Sequence, residues 1–382
     1  MKLTRYNPEI AQGAIEAVYS RKNIRTFIRK AVEEELDSVL VDWNLQATLR
    51  VVEWLETPAE YESKQKRIDE LNEKMDVEKL LVNIAGSVLF KPSQETLIYQ
   101  ESAGWLSAVI PHEDVFDRVR TAAELLALGS GLGLYEIKRG SPHKIERQHE
   151  MNQEVFGWVN ETGFNPPLIA KPKEVTSNRS AGYHEIVEPV ILGGRHKQHA
   201  EYQALDVLNQ LNGIQWELDE DVLREPELPS KKLDKENYRQ FKVQVGQSME
   251  IYKLLLDHGN KFYFAHQFDT RGRVYQHGYH VHHQSYEYKK GLLTFAKKEP
   301  TTAVGLWYLK VDVANQYGLD KKDWADRIAW VDRNENNLEN LDKDADQQVL
   351  YRKAVRAYRA AQKGEPIGIP VGLDATASGL QM

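Results

Sequence analysis

The run Asp-Thr-Arg-Gly-Arg-Val-Tyr at 269–275 combines residue types that can bind a polyanion. Arg271 and Arg273 can each hold a phosphate through paired hydrogen bonds, and Gly272 between them lets a sugar-phosphate chain approach the backbone closely. Asp269 can hold one arginine in place, and Tyr275 offers a ring for stacking. The pattern predicts a nucleic-acid contact or, with equal weight, an ion-paired structural turn.

A second candidate site ends the segment Ile-Pro-Val-Gly-Leu-Asp at 369–374, which is typical of a short buried strand. Small residues follow Asp374 and leave room for a metal ion and a triphosphate. The carboxylate of Asp374 and the carbonyl of Ala375 are hard oxygen ligands of the kind that Mg²⁺ prefers. By itself this is a weak indication of a metal site, because an aspartate at a strand end is common.

Histidines form a third cluster, since His277, His280, His282 and His283 lie within seven residues. Four imidazoles could bind zinc, but an alternating arrangement directs them to opposite faces of the chain. Polar or partly charged histidines beside a phosphate-binding groove are the simpler interpretation.

Charge is distributed unevenly along the chain. The formal net charge of the 382 residues is −7, yet the basic strip, residues 261–298, has seven Lys and Arg against two acids. One basic strip on an acidic protein is what a local polyanion groove requires. Solvated surface charge that is clustered by chance explains the strip equally well.

Composition narrows the class of protein. Apolar residues make up 41% and charged residues 28%, and there is no cysteine, which excludes disulfides, thiolate zinc sites and a cysteine nucleophile. No secretory signal and no membrane-spanning stretch is expected. A cytoplasmic setting fits these features, and the length predicts two or three domains.

The elements that must position these residues are mainly helical. Apolar residues recur every three or four positions over 15–40 and 61–89, and glycines at 129–133 follow a helical run, which favours a helix end over a phosphate loop. A Pro- and Gly-rich connection at 161–199 leads to helices at 201–218 and 236–258, the second closed by Gly259-Asn260. A strand at 261–269 and helices within 301–362 follow. The predicted fold class is α+β, predominantly α-helical.

Taken together and in order, the motifs resemble the single-subunit DNA-dependent RNA polymerase family of bacteriophages and mitochondria. The resemblance is carried by FYFAHQFDTRGRVY, then Gln284, then KGLLTFA from Lys290, and finally GLDATASGLQ. It covers about residues 160–382 well and 1–160 only vaguely. Three positions depart from the family pattern, namely Ala375 for a glycine, Ser285 for the turn glycine and Glu287 for an aspartate.

The resemblance implies specific roles. Asp374 would be the first of two metal-binding aspartates, with the Ala375 carbonyl as a further ligand and Mg²⁺ as cofactor. DNA template, RNA product and nucleoside triphosphates would be the partners. The residues along the template strand and hybrid would be Arg271, Gly272, Arg273 and Tyr275, with Lys290 also facing the nucleic acid.

The resemblance also implies a domain order. Residues 1–160 would form a helical N-terminal domain, 161–260 a connector with short thumb-like helices, and 261–382 the first part of a polymerase palm. The second aspartate of the family stands in a His-Asp turn, and the sequence has no His-Asp pair. We therefore expect a split enzyme, active only with a second chain that carries the fingers and that aspartate, in the host cytoplasm if phage-encoded. A truncated gene, a non-catalytic nucleic-acid-binding module and a DNA polymerase fragment are the alternatives.

Overall fold

The computed structural model describes residues 7–90, 96–150, 164–191, 204–229, 231–269 and 271–372, with isolated positions from 155 to 162. Asp374 and Ala375 lie outside the described residues. The chain divides into two compact units: a helical unit, Arg21–Gly163, and a motif unit, Met1–Ser20 with Phe164–Met382. Residues 7–20 thus pack with the motif unit. The finer division into thumb and palm stays a prediction.

The helical unit comes after α1 (Pro8–Tyr19), which belongs to the motif unit. Its helices and strands are α2 (Arg21–Ser38), α3 (Val41–Glu56), α4 (Glu62–Lys74), α5 (Val77–Leu89), β1 (Thr96–Ile98), α6 (Tyr99–Ser107), α7 (Val115–Leu128), β2 (Tyr135–Lys138) and β3 (Lys144–Arg147). The strands form an antiparallel sheet in the order β1-β3-β2. Sequence periodicity over 15–40 and 61–89 predicted helices where α2, α4 and α5 lie, and the sheet was missed because its strands have at most four residues.

Side-chain caps and buried apolar faces fix these helices. Asp76 and Asp114 each accept a backbone N–H at the start of their helices, which satisfies donors that a helix leaves unpaired. Gly129 ends α7, which confirms a helix end rather than a phosphate loop at 129–133. The indole of Trp43 donates to the Gly129 carbonyl at 2.9 Å, so a buried aromatic residue locks this end.

The motif unit contains the remaining described elements. They are α8 (Leu205–Asn212), β4 (Gln215–Leu218), α9 (Glu220–Leu223), α10 (Lys235–Asp257), β5 (Phe262–Tyr263), β6 (His266–Phe268), β7 (Val274–Gln276), α11 (Glu287–Gly291), β8 (Leu293–Phe295), α12 (Ala303–Ala314), α13 (Trp324–Arg333) and α14 (Gln348–Gln362). A π-helical turn, Asn315–Leu319, follows α12, and two 3₁₀ turns, Glu335–Asn340 and Asp342–Asp344, precede α14.

Two small antiparallel sheets position the sequence motifs. One has the order β5-β4-β8, with Trp216 opposite Phe295, and the other is the β6–β7 hairpin. The arginine turn at 269–273 joins the two strands of the hairpin, so strand pairing on both sides sets its position. The expected strand at 261–269 is present in two pieces, β5 and β6.

Two expectations in this unit are wrong. Within its described part, 204–218, the predicted helix at 201–218 is helical only over Leu205–Asn212, because Gly213 closes it and the chain then turns into β4. The predicted strand at 369–374 is absent over its described part, 369–372. Pairing reaches Gly368, whose carbonyl accepts the Phe295 N–H at 2.7 Å. Pro370 then has no N–H to donate to a ladder.

The observed class is α+β and predominantly helical, as predicted. Among the helices that the structure describes, none is both long enough and apolar enough to cross a lipid bilayer.

Candidate nucleic-acid interface

The arginine turn is built around the carboxylate of Asp269, which is 8% exposed at the end of β6. Its Oδ1 accepts the backbone N–H of Arg271 at 2.8 Å and that of Arg273 at 2.9 Å. The Gly272 N–H donates to the Asp269 carbonyl at 3.0 Å, and Gly272 has φ +78°. Because residues with a side chain rarely adopt this left-handed conformation, the sequence needs glycine here.

The two arginines have different surroundings. Arg271 donates from Nε and Nη2 to Asp269 Oδ2 at 3.1 and 3.0 Å, so an ion pair holds it against the turn. The Arg273 N–H, above all other groups, lowers the pKa of Asp269, so its carboxylate stays charged at neutral pH. The Arg273 side chain is exposed, and its guanidinium makes no hydrogen bond or ion pair with the described residues.

The sequence motif allowed two interpretations, an ion-paired turn or a nucleic-acid contact, and each applies to a different arginine. Asp269 and Arg271 form the ion-paired structural turn, whereas Arg273 presents its charge to solvent. Tyr275 is half-buried on β7, opposite Gln267. One arginine of the motif therefore stabilises the turn, and the other remains available for a ligand.

Adjacent lysines on α11 also differ. Lys290 is exposed, whereas Lys289 is 3% exposed and donates to Ser248 Oγ at 2.9 Å and to the His280 carbonyl at 2.8 Å. Burial lowers the pKa of Lys289, and the carboxylate of Glu227, 3.8 Å away, opposes this effect.

The sequence interpretation missed Lys289. The available signal was its position beside Lys290, because successive helical residues point about 100° apart and only one of them can face solvent here.

A cavity of about 960 Å³ lies beside the last described residues of the chain. Lys290, Trp216 and His283 line it together with Gly372, the residue two positions before Asp374. We call it the Lys290 cavity. The structure thus brings Lys290 and Gly372 to one cavity, and Arg273 is not among the described residues that line it.

Buried charges of opposite sign border this cavity. Burial raises the pKa of Asp312 to about 6, and Gln316 Nε2 donates to its Oδ1 at 2.9 Å. Burial lowers the pKa of Lys353 to about 8. Lys353 donates to the carbonyls of Gly291 and Leu293 at 2.8 and 2.6 Å, which ties α14 to the end of α11 and to β8. Asp312 and Lys353 are both part of the cavity wall.

Of the four histidines in the cluster, His280 is buried and His277, His282 and His283 are half-buried, and the buried His266 of β6 lies beside His283. Burial lowers the pKa of His266 to about 3 and the pKa of His280 to about 4. Burial also lowers the pKa values of His282 and His283 to about 4, so these histidines are polar and uncharged at neutral pH rather than partly charged. Within the described part of the chain, no group of three His, Asp or Glu side chains could hold a metal ion. The structure therefore gives the zinc interpretation no support.

Comparison with known proteins gives consistent relatives. A family described as DNA-dependent RNA polymerase matches residues 299–362. The mitochondrial DNA-directed RNA polymerase of Schizosaccharomyces pombe is 36% identical over 148 residues, 35% of this chain and 13% of the relative. The DNA-directed RNA polymerase of Pseudomonas phage phiKMV is 32% identical over 160 residues, 37% of this chain and 20% of the relative.

The T7 RNA polymerase of Escherichia phage T7 is 33% identical over 107 residues, 26% of this chain and 12% of the relative. Part of the chain is therefore similar to the single-subunit RNA polymerases of phages and mitochondria. The chain matches no more than a fifth of the length of these three polymerases. What the relatives do as whole proteins therefore enters only as a proposal.

Proposed function

We propose that this chain carries the template- and hybrid-binding turn and the first metal-binding aspartate of a DNA-templated RNA polymerase. The observation that carries the proposal is the state of Arg273. The turn fixes the backbone of Arg273, and Asp269 and Arg271 in this turn neutralise each other. The Arg273 guanidinium has no hydrogen-bond or ion-pair partner within the described residues. A fixed, unneutralised guanidinium is suited to a phosphate oxygen. Gly272 and Tyr275 complete this contact surface in the proposal.

Magnesium fits the donor chemistry of the C-terminal motif. Asp374 and Ala375 lie outside the described residues, so the fit rests on their oxygen atoms and on the cavity beside Gly372. When bound, Mg²⁺ would neutralise phosphate charge and act as a Lewis acid. Lys290 adds a positive charge to the same cavity, where it would attract a nucleoside triphosphate or the nucleic-acid backbone.

A two-metal mechanism needs a further carboxylate close to the first. The sequence has no His-Asp pair, so we propose that this carboxylate and the fingers lie outside these residues. A second polypeptide is the source that we propose. Template-dependent RNA synthesis by the purified chain alone would rule this out. Synthesis that begins only when a second chain is added would support it.

Replacement of Arg273 tests the nucleic-acid contact. Arg273→Ala should weaken binding of an RNA–DNA hybrid, and the slope of log affinity against log salt should fall by about one. Thermal stability should not change, because this guanidinium makes no hydrogen bond or ion pair with the described residues. Arg333→Ala, at an exposed arginine on α13, is the matched control. A lowered melting temperature with an unchanged salt slope would identify Arg273 as a structural residue.

Replacement of Asp374 separates a polymerase from a non-catalytic binding module. Asp374→Ala in the assembled enzyme should abolish RNA synthesis and leave hybrid binding intact. Asp374→Asn is a closer control, because it keeps the shape and removes the charge that would hold Mg²⁺. Unchanged synthesis in both variants would show that the chain binds nucleic acid without taking part in the chemistry.

A further inference from the structure

Helix α1 is held in the motif unit by polar residues as well as apolar ones. Its buried face consists of Gln12, Ile15 and Glu16, which are 0%, 8% and 1% exposed. Ile15 belongs to the core cluster that also contains Trp216. A glutamate that is almost fully buried on the first helix of the chain needs an explanation, because an unpaired carboxylate in such a position is very costly.

Backbone N–H groups satisfy this carboxylate. Glu16 Oε1 accepts the His184 N–H at 2.9 Å, and Oε2 accepts the N–H groups of Glu185 and Ile186 at 2.5 and 2.8 Å. Gln12 Nε2 donates the fourth hydrogen bond, to Oε1 at 2.8 Å. Three successive N–H groups around one carboxylate are an anion-binding arrangement that stabilises its charge. We call these contacts the Glu16 clamp.

The segment held by the clamp contacts the strand that precedes the arginine turn. Ile186, Val190 and Ile191 share a core cluster with Phe268. The Phe268 N–H donates to the Val190 carbonyl at 2.6 Å, and Ile191 forms a parallel bridge with Phe268. Asp269, which fixes the backbone of Arg273, is the next residue. Main-chain contacts thus connect the clamp to the turn with one intervening segment, residues 184–191.

We propose that Glu16 is a positioning residue for the arginine turn, acting through residues 184–191. The role rests on the proposed function, since it matters for activity only if Arg273 contacts nucleic acid. Removal of the carboxylate charge releases the 184–186 backbone, which frees Phe268 to shift and displaces the Arg273 guanidinium from its fixed direction. Glu16 thereby influences binding although it lies about 250 residues before the motif in sequence.

Glu16→Gln is the test, because it keeps the size of the side chain and replaces an acceptor oxygen by an NH₂ group that opposes N–H donors. Hydrogen exchange at 184–186 and at 268–273 should accelerate by about tenfold, the effect expected from one unsatisfied buried donor. The dissociation constant for an RNA–DNA hybrid should rise by about the same factor. Glu9→Gln, at an exposed residue of the same helix, should change neither quantity.

A double-mutant cycle with Arg273→Ala distinguishes positioning from general destabilisation. If Glu16 acts through Arg273, Glu16→Gln should weaken binding no further once Arg273 is alanine. Independent, multiplying effects would overturn the proposal, and so would accelerated exchange confined to 184–186. If Arg273→Ala alone left binding unchanged, the proposed nucleic-acid contact would fail, and exchange at 268–273 would then decide the positioning role by itself.

If Glu16→Gln fails to fold, Gln12→Ala provides a second test. Gln12→Ala removes one of the four hydrogen bonds to the carboxylate and leaves its charge and its three backbone donors, and it also removes the acceptor of the Ile169 N–H, so exchange at Ile169 is measured separately. It should produce the same pattern of exchange and binding with a smaller amplitude. Unchanged exchange at 268–273 in this variant, with faster exchange at 184–186, would overturn the proposal.

Discussion

Lys353→Met should destabilise the motif unit strongly. The side chain is 5% exposed, and its Nζ donates to the Gly291 and Leu293 carbonyls and to Thr294 Oγ1, with Asp219 Oδ2 3.3 Å away. Methionine fills the volume but leaves these acceptors without their donor. Each buried unsatisfied group costs about 1–3 kcal/mol, and breaking a buried ion pair about 3–5 kcal/mol. Arg356 also lies near Asp219, at 3.6 Å, which offsets part of the loss.

We expect a decrease of about 3 kcal/mol in the free energy of unfolding, measured by urea denaturation with tryptophan fluorescence. Lys310→Met is the matched control, because Lys310 forms a partly exposed ion pair with Asp332 and such pairs contribute less than about 1 kcal/mol. Equal effects of the two substitutions would refute the assignment of Lys353 as a buried structural cation.

The pH dependence gives a second measurement on the same residue. Burial lowers the pKa of Lys353 from 10.5 to about 8, so between these values the unfolded chain holds a proton that the folded protein has lost. The free energy of unfolding should therefore rise with pH across this window, by up to about 1.4 kcal/mol per pH unit. Lys353→Met should lack this rise relative to wild type. Parallel pH profiles for the two proteins would contradict the lowered pKa.

Four other substitutions test three separate features. His266 and His280 have pKa values of about 3 and 4 in the folded protein, below the ordinary 6.5, so stability should fall as pH drops from about 6.5 towards 4, and His280→Gln should flatten this dependence in urea titrations at several pH values. Gly318→Ala should lower the melting temperature because φ is +114° and a Cβ would meet Asp346, whereas Gly246→Ala, in open space on α10, should raise stability by about 0.5–1 kcal/mol. Asp269→Asn should weaken hybrid binding while Arg273 is unchanged, since the turn loses its ion pair; wild-type affinity would contradict this.

Local rules predicted the long helices and their ends well. Gly259-Asn260 closes α10 with φ +89° and +53°, which is the left-handed ending that the sequence indicated. The same rules did not predict β4, because the apolar spacing of 201–218 is typical of a helix and would place Gly213 inside it. Strand pairing of Trp216 with Phe295, 79 positions later, decided the outcome. Contacts this distant in sequence cannot be derived from local periodicity.

The candidate site was predicted by residue type and not by role. The motif at 269–275 identified both arginines, but only the geometry shows that Arg271 is neutralised by Asp269 and that Arg273 has no such partner among the described residues. The sequence interpretation missed Lys289, Lys353 and Glu16, because the sequence around each of them resembles the sequence around solvent-exposed charged residues. Their burial depends on backbone carbonyl and N–H groups from other segments. Asp374 and Ala375 lie outside the described residues, so their roles stay predictions.

The motif unit is interrupted in sequence by the helical unit, and this has a consequence for the order of events on the ribosome. The Glu16 carboxylate is synthesised 168 residues before the His184 N–H that it accepts. At about 5–20 residues per second this is a delay of roughly ten to thirty seconds. An isolated helix of twelve residues is marginally stable in water, so α1 cannot hold its shape alone during that time. The helical unit can therefore fold first, while the nascent α1 remains available to chaperones until residues 164–191 emerge.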